Sequence, residues 1–163
     1  MIRYVKRRGG TFTTRMYVGA TDAAWRTDLL WGDRVQVLDD SGPRWRVKAR
    51  GRFGFVDPAH LGSQSLLEFY FIDVGQGDGV LIRTPDHRHI LIDGGWPRRN
   101  QPTGKNAADF VDWKFAKDYG ADAIKLDVMI CSHNDQDHYG GLWDLLNPQQ
   151  HHELDLRKVQ TAS

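Results

Sequence analysis

Leu126-Asp127-Val128-Met129-Ile130-Cys131-Ser132-His133-Asn134-Asp135-Gln136-Asp137-His138-Tyr139-Gly140-Gly141-Leu142 holds the densest chemistry in the chain. The apolar run from Leu126 to Cys131 suits a strand buried on both faces. Just past it, His133, Asp135, Asp137 and His138 crowd together, as functional groups do on a loop held by a rigid scaffold. In an extended segment His133 and Asp135, two positions apart, project to the same side. Asp137 and His138 point apart until the chain turns at Tyr139-Gly140-Gly141. Two imidazoles and two carboxylates suit a borderline-soft divalent metal. One side of the loop offers His133 and Asp135 to one metal, and the turn offers Asp137 and His138 to a second. Paired metals about 3.5–4 Å apart serve phosphoester and amide hydrolysis. All four residues are candidate ligands, and Asp135 and Asp137 are also the candidate catalytic groups.

Ser132 to Leu142 resembles the S-H-x-D-x-D-H-x-G-G-x signature of the metallo-β-lactamase fold. The Asp at its second ligand position is similar to the branch typified by the hydrolase domain of ComEC-like DNA-uptake proteins. Two further blocks resemble that branch, in the same order: Phe71-Ile72-Asp73-Val74-Gly75-Gln76-Gly77-Asp78-Gly79-Val80-Leu81-Ile82 and Ile90-Leu91-Ile92-Asp93-Gly94-Gly95. The resemblance implies an α/β domain forming the N-terminal half of an αββα sandwich. It implies a site with two divalent metals, Zn²⁺ or alternatively Mn²⁺. It also implies that Asp93, and after it Asp73 and Asp78, support the metal loop from behind. A carboxylate accepting the spare imidazole N–H is what orients a ligating histidine.

The 163 residues suffice for one medium domain or two small ones. No run of 18 or more apolar residues occurs, which argues against a membrane span, and no signal peptide is visible. Cys131 is the only cysteine, so an internal disulfide is excluded and a reducing, cytoplasmic compartment is expected. Residues 1–64 hold 12 Lys/Arg against 6 Asp/Glu, whereas residues 65–163 hold 10 against 15. The break falls at the linker-like Gly62-Ser63-Gln64-Ser65, which divides the chain into domains at 1–64 and 65–163. The basic first part suits either an anionic partner or its acidic neighbour.

Within residues 1–64, Arg34 to Leu38 and Arg44 to Ala49 alternate as half-buried strands, and Asp39-Asp40-Ser41-Gly42-Pro43 is a turn. Leu30-Trp31-Gly32-Asp33 through Leu38, Trp45 to Val47 and Gly51 to Leu61 resemble a bacterial SH3-like domain, a small all-β barrel. Trp25, Trp31 and Trp45 either line a binding groove or fill the barrel core.

In the second part, Leu66 to Val74 opens with a strand. Val80–Arg83 and His89–Ile92 pair as a hairpin across Thr84 to Arg88, so His87 and His89 read as turn and edge residues. Gly75 to Gly79 is a tight turn and not a phosphate loop, because no G-K-[ST] follows. Arg98 and Arg99 are either substrate contacts or solvated charges. Asn106 to Tyr119 reads as a helix with Gly120 at its C′ position. A second helix runs from Leu142 to Leu146 and stops at Asn147-Pro148. His151 and His152 fit no motif and read as surface.

Only about 25 residues follow His138, and none resembles the later ligand segments of the family. The expectation is therefore an N-terminal piece, inactive alone, that needs its missing C-terminal half or a second polypeptide. The activity expected when complete is metal-dependent hydrolysis, with nucleic acid as substrate and a nuclease or phosphodiesterase as the enzyme. The alternative is a non-catalytic regulatory piece acting through the SH3-like module.

Overall fold

The structure is a computed structural model describing residues 1–147, 149, 152, 154–156 and 159–161; Pro148 and His151 lie outside the described residues. The chain divides into two compact units, Met1–Leu66 and Leu67–Ser163.

Alternating burial builds the first unit. Its strands are β1 (Ile2–Val5), β2 (Thr13–Tyr17), β3 (Trp25–Leu30), β4 (Arg34–Asp39), β5 (Trp45–Ala49), β6 (Arg52–Val56) and β7 (Leu61–Gly62). They form one sheet in the order β3-β2-β6-β5-β4-β1-β7, with every pairing antiparallel. β4 turns Val35 and Val37 inward and Gln36 outward, the period-two pattern of a half-buried strand. Leu29 on one edge strand and Leu61 on the other share a single core cluster, so the sheet curls around it. Trp45 packs against that core, whereas Trp25 and Trp31 are exposed. Arg50 and Gly51, at φ of 48° and 70°, form the two-residue link between β5 and β6. Positive φ at both link positions matches the natural twist of a hairpin.

The second unit is built on a four-stranded sheet. β8 (Glu68–Phe71), β9 (Val80–Arg83) and β10 (His89–Ile92) run as an antiparallel meander, and β12 (Val128–Ile130) joins β10 in parallel. A short parallel pair joins β11 (Ile124–Leu126) to β13 (Val159–Thr161). The helices are α1 (Ala107–Trp113), continued by a π-helical turn over Lys114–Tyr119, and α2 (Gln136–Leu146). Asn106 caps α1 in a reciprocal box with Asp109, and Gly120 ends the helical segment at φ 63°. Leu81 and Leu91 of the sheet pack with Val111, Phe115, Leu142 and Leu145 of the helical layer. No helix among the described residues is long and apolar enough to cross a membrane.

Two expectations are corrected. The run Leu126 to Cys131 is not one strand buried on both faces. It breaks at Asp127, whose carboxylate accepts the His89 backbone N–H at 2.9 Å. Beyond the break, Val128 and Ile130 are 45% and 41% exposed. The reason is visible in the register. Phe69, Ile82, Ile90 and Val128 stand opposite one another across the four strands, as do Phe71, Val80, Ile92 and Ile130. These two rows share the face opposite Leu81 and Leu91, and Phe71 on it is 82% exposed. The second correction is that α2 starts at Gln136, so Tyr139-Gly140-Gly141 is helix and not a turn. A Cβ on Gly140 would lie 2.3 Å from Pro97, and one on Gly141 would lie 2.0 Å from the Gly94 carbonyl oxygen. The glycines let two backbones touch; they do not break the helix.

Candidate metal centre

The parallel pairing of β10 and β12 puts both strand ends on one edge of the sheet, with Ile92 opposite Ile130. Asp93 follows the first and Ser132-His133 the second. Asp93 is buried at φ 55°, a left-handed conformation that Asp tolerates better than most residues. Its backbone N–H donates to Ile130 O at 2.9 Å, which locks the turn.

The Asp93 carboxylate is the hub of the loop. Oδ1 accepts the Ser132 backbone N–H at 2.8 Å, and Oδ2 accepts the Ser132 hydroxyl at 2.6 Å and lies 2.9 Å from Nδ1 of His138. Burial alone would raise its pKa, but the hydrogen bonds from His138 and Ser132 outweigh this and hold it below the usual carboxylate value. The same bond to Asp93 raises the pKa of His138. With Nδ1 engaged, Nε2 is the nitrogen left to ligate, and it faces Asp137 Oδ1 at 3.9 Å. The rings of His133 and His138 lie 3.7 Å apart, and His133 Nε2 is 3.3 Å from Asp135 Oδ2. Gln76 donates to Asp137 Oδ2 at 3.2 Å, and that bond is the main cause of the lowered Asp137 pKa. Gly77, at φ 92°, sits against the Asp137 carbonyl so closely that a Cβ would come within 1.8 Å of it.

The structure thus brings together His133, Asp135, Asp137, His138 and Asp93. Asp78 contributes its backbone oxygen, which accepts the Gly95 N–H at 2.9 Å, and its charge helps raise the His138 pKa. Asp73 stands apart: its carboxylate accepts the Gly75 N–H of its own turn. Arg98 is not a solvated loop charge. It is buried, with Nε paired to Asp109 at 2.9 Å. Arg99 is exposed and lines a cleft of about 250 Å³ with Pro97, Gln136, Tyr139, Trp143 and Asp144. Sequence reasoning missed the roles of Ser132 and Gln76. Ser132 Oγ lies 3.1 Å and 3.2 Å from the Nδ1 atoms of His133 and His138. Its place directly before the first histidine was the available signal.

The donor set has the chemistry of a divalent metal site: two imidazoles beside two carboxylates, one imidazole already oriented by a buried carboxylate. These residues do not form a closed metal geometry. Among the described residues no group of three or more His, Cys, Asp or Glu side chains converges on one point.

The family whose model matches the chain is the Metallo-beta-lactamase superfamily, over residues 72–154. That span covers just over half of the 163 residues and contains the whole cluster, and the chain belongs to this superfamily. No curated protein and no solved structure matches the chain.

Proposed function

We propose that the second unit carries the ligands of a metal-dependent phosphodiester hydrolase, a nuclease or phosphodiesterase. His133, Asp135, Asp137 and His138 would hold divalent metal, two Zn²⁺ or alternatively two Mn²⁺. The observation carrying this reading is the Asp93–His138 contact of 2.9 Å, which sets the imidazole tautomer so that Nε2 presents its lone pair. Superfamily membership supports it, since members are typically metal-dependent hydrolases. The phosphodiester preference rests on the resemblance to the ComEC-like branch.

When bound, such a metal supplies Lewis acidity toward a phosphoryl oxygen. The chain's own groups do the positioning. Asp93 and Ser132 orient His138, Gln76 steadies Asp137, and Arg99 stands ready for substrate charge. The two exposed apolar rows on β8, β9, β10 and β12 support a further proposal. In the working protein that face is covered by another sheet layer, from the rest of a longer chain or from a second polypeptide. The antiparallel, curled first unit is in turn proposed to be an SH3-like module.

The test is hydrolysis of bis(p-nitrophenyl) phosphate and single-stranded DNA by the assembled protein with Zn²⁺ or Mn²⁺. His133→Ala is expected to abolish turnover, and unchanged turnover would sink the reading.

A further inference from the structure

The outer face of the first unit is not the polar surface that an exposed sheet normally carries. Trp25, Tyr17 and Phe55 are directly opposite one another on β3, β2 and β6, which makes a row of three rings across adjacent strands. Neighbouring strands lie about 4.8 Å apart, so the row spans roughly 10 Å. Phe53 lies two residues from Phe55 on the same face of β6. Trp25 and Phe53 are 49% and 55% exposed, well above what a packing role requires.

Cations interleave with these rings. The Arg15 guanidinium lies 4.2 Å from the Trp25 ring, that of Arg44 lies 3.4 Å from Tyr17, and the Lys48 ammonium lies 5.8 Å from Phe53. Arg46 stands opposite Phe55 on β5. An open groove of about 600 Å³ on this unit is lined by Val18, Trp25, Arg26, Arg52 and Phe53. Two carboxylates border the face, Asp28 opposite Arg15 and Asp39 opposite Arg46. Among the described residues neither lies within ion-pair distance of a cation, although the Arg46 charge helps lower the Asp39 pKa after the hydrogen bonds from Ser41; the ion pairs of this unit join Arg8 to Asp57 and Arg50 to Asp33.

We propose that this aromatic and basic face binds single-stranded nucleic acid, by stacking bases on Trp25 and Phe53 and holding phosphates on the surrounding arginines. Accessible rings and guanidinium planes set among cations are the combination that single strands use, sequence-tolerantly, on sheet surfaces. An acidic peptide would need the cations but not the rings. The site shares no residue with the metal loop and requires no hydrolysis.

Fluorescence anisotropy of the full chain with a labelled oligothymidylate, in EDTA, tests it. EDTA removes turnover, so failure here is distinct from failure of the hydrolase reading. The expected result is salt-sensitive binding that Trp25→Ala and Phe53→Ala each weaken by roughly 5- to 100-fold, with unchanged circular dichroism. Charge reversal at Arg46 and Lys48 should lower the salt slope by about 0.7 for each phosphate no longer neutralised. The absence of binding at low salt would overturn the proposal. So would binding that ignores both aromatic variants while polyglutamate competes equally, because the face would then be a docking surface for acidic peptides. Tighter binding of duplex than of single strand would also overturn it.

Discussion

The Asp93 carboxylate lies 2.9 Å from Nδ1 of His138, although 45 residues of chain separate the two. Ser132 completes the arrangement by donating to the same carboxylate. This places an orienting group behind the candidate ligand.

Asp93→Asn is therefore expected to keep the fold, because Asn also tolerates the φ of 55° at this position. It should weaken Zn²⁺ binding by roughly 10- to 100-fold, as loss of such a partner generally does. Isothermal titration with Zn²⁺ on wild type and variant reads this directly. Equal affinities would show that Asp93 does not orient His138.

Gly141→Ala should destabilise the second unit by about 1–3 kcal/mol. Helix propensity alone favours Ala by about 1 kcal/mol, so the expected sign is the opposite of the local one. The cause is the Gly94 carbonyl oxygen, 2.0 Å from the added Cβ. Gly104→Ala, with nothing within 4 Å but φ of 64°, should cost only about 1 kcal/mol of backbone strain. Urea melts of the two variants compare them. A Gly141→Ala protein as stable as wild type would contradict the tight backbone packing.

His89 gives the second unit a pH dependence. Burial lowers its pKa to about 4, and its buried Nε2 has no hydrogen-bond partner among the described residues, while the ring lies beside those of Phe115 and Tyr119. The unfolded chain binds that proton near pH 6.5, so from about pH 6.5 down to 4 it takes up a proton that the fold does not. Stability contributed by neutral His89 is thus complete above pH 6.5 and falls as pH drops through this window, by about 1–2 kcal/mol after discounting for partial exposure. His89→Phe keeps the ring stacking and should flatten the slope of urea midpoint against pH. An unaltered slope would assign the acid sensitivity to other groups.

Phe71→Asp, at a side chain 82% exposed, should leave folding stability within about 0.5 kcal/mol. It should also reduce concentration-dependent self-association, because it interrupts one of the two apolar rows at its most exposed ring. Sedimentation velocity over a concentration series checks this, and identical profiles would mean the open face is not adhesive.

Much of this was legible locally. The β9–β10 hairpin, the helix that follows Asn106 and the Gly120 stop depend on residues near one another in the chain, and each formed where its local chemistry pointed. The start of α2 is not legible locally, because Gly140-Gly141 signals a turn in isolation. The packing of Gly94 and Pro97 against those glycines, invisible to local pattern, turns the same residues into a close approach of two backbones. Arg98 was equally unreadable: its charge suggested either solvent or a substrate contact, while Asp109 eleven residues on pairs it in the interior.

The order of residues alone dictates which donors crowd into positions 133–138, because ligand chemistry is a property of side chains and spacing. It also dictates the basic and acidic halves. That Asp93 and Ser132 stand behind His138 is a matter of the three-dimensional fold, since it required β10 and β12 to pair in parallel and end on one edge. So is the single row of Trp25, Tyr17 and Phe55, which arises from cross-strand register that no single strand encodes. Strand pairing brings together residues far apart in the chain, and the free energy selecting that pairing is shared across the whole core.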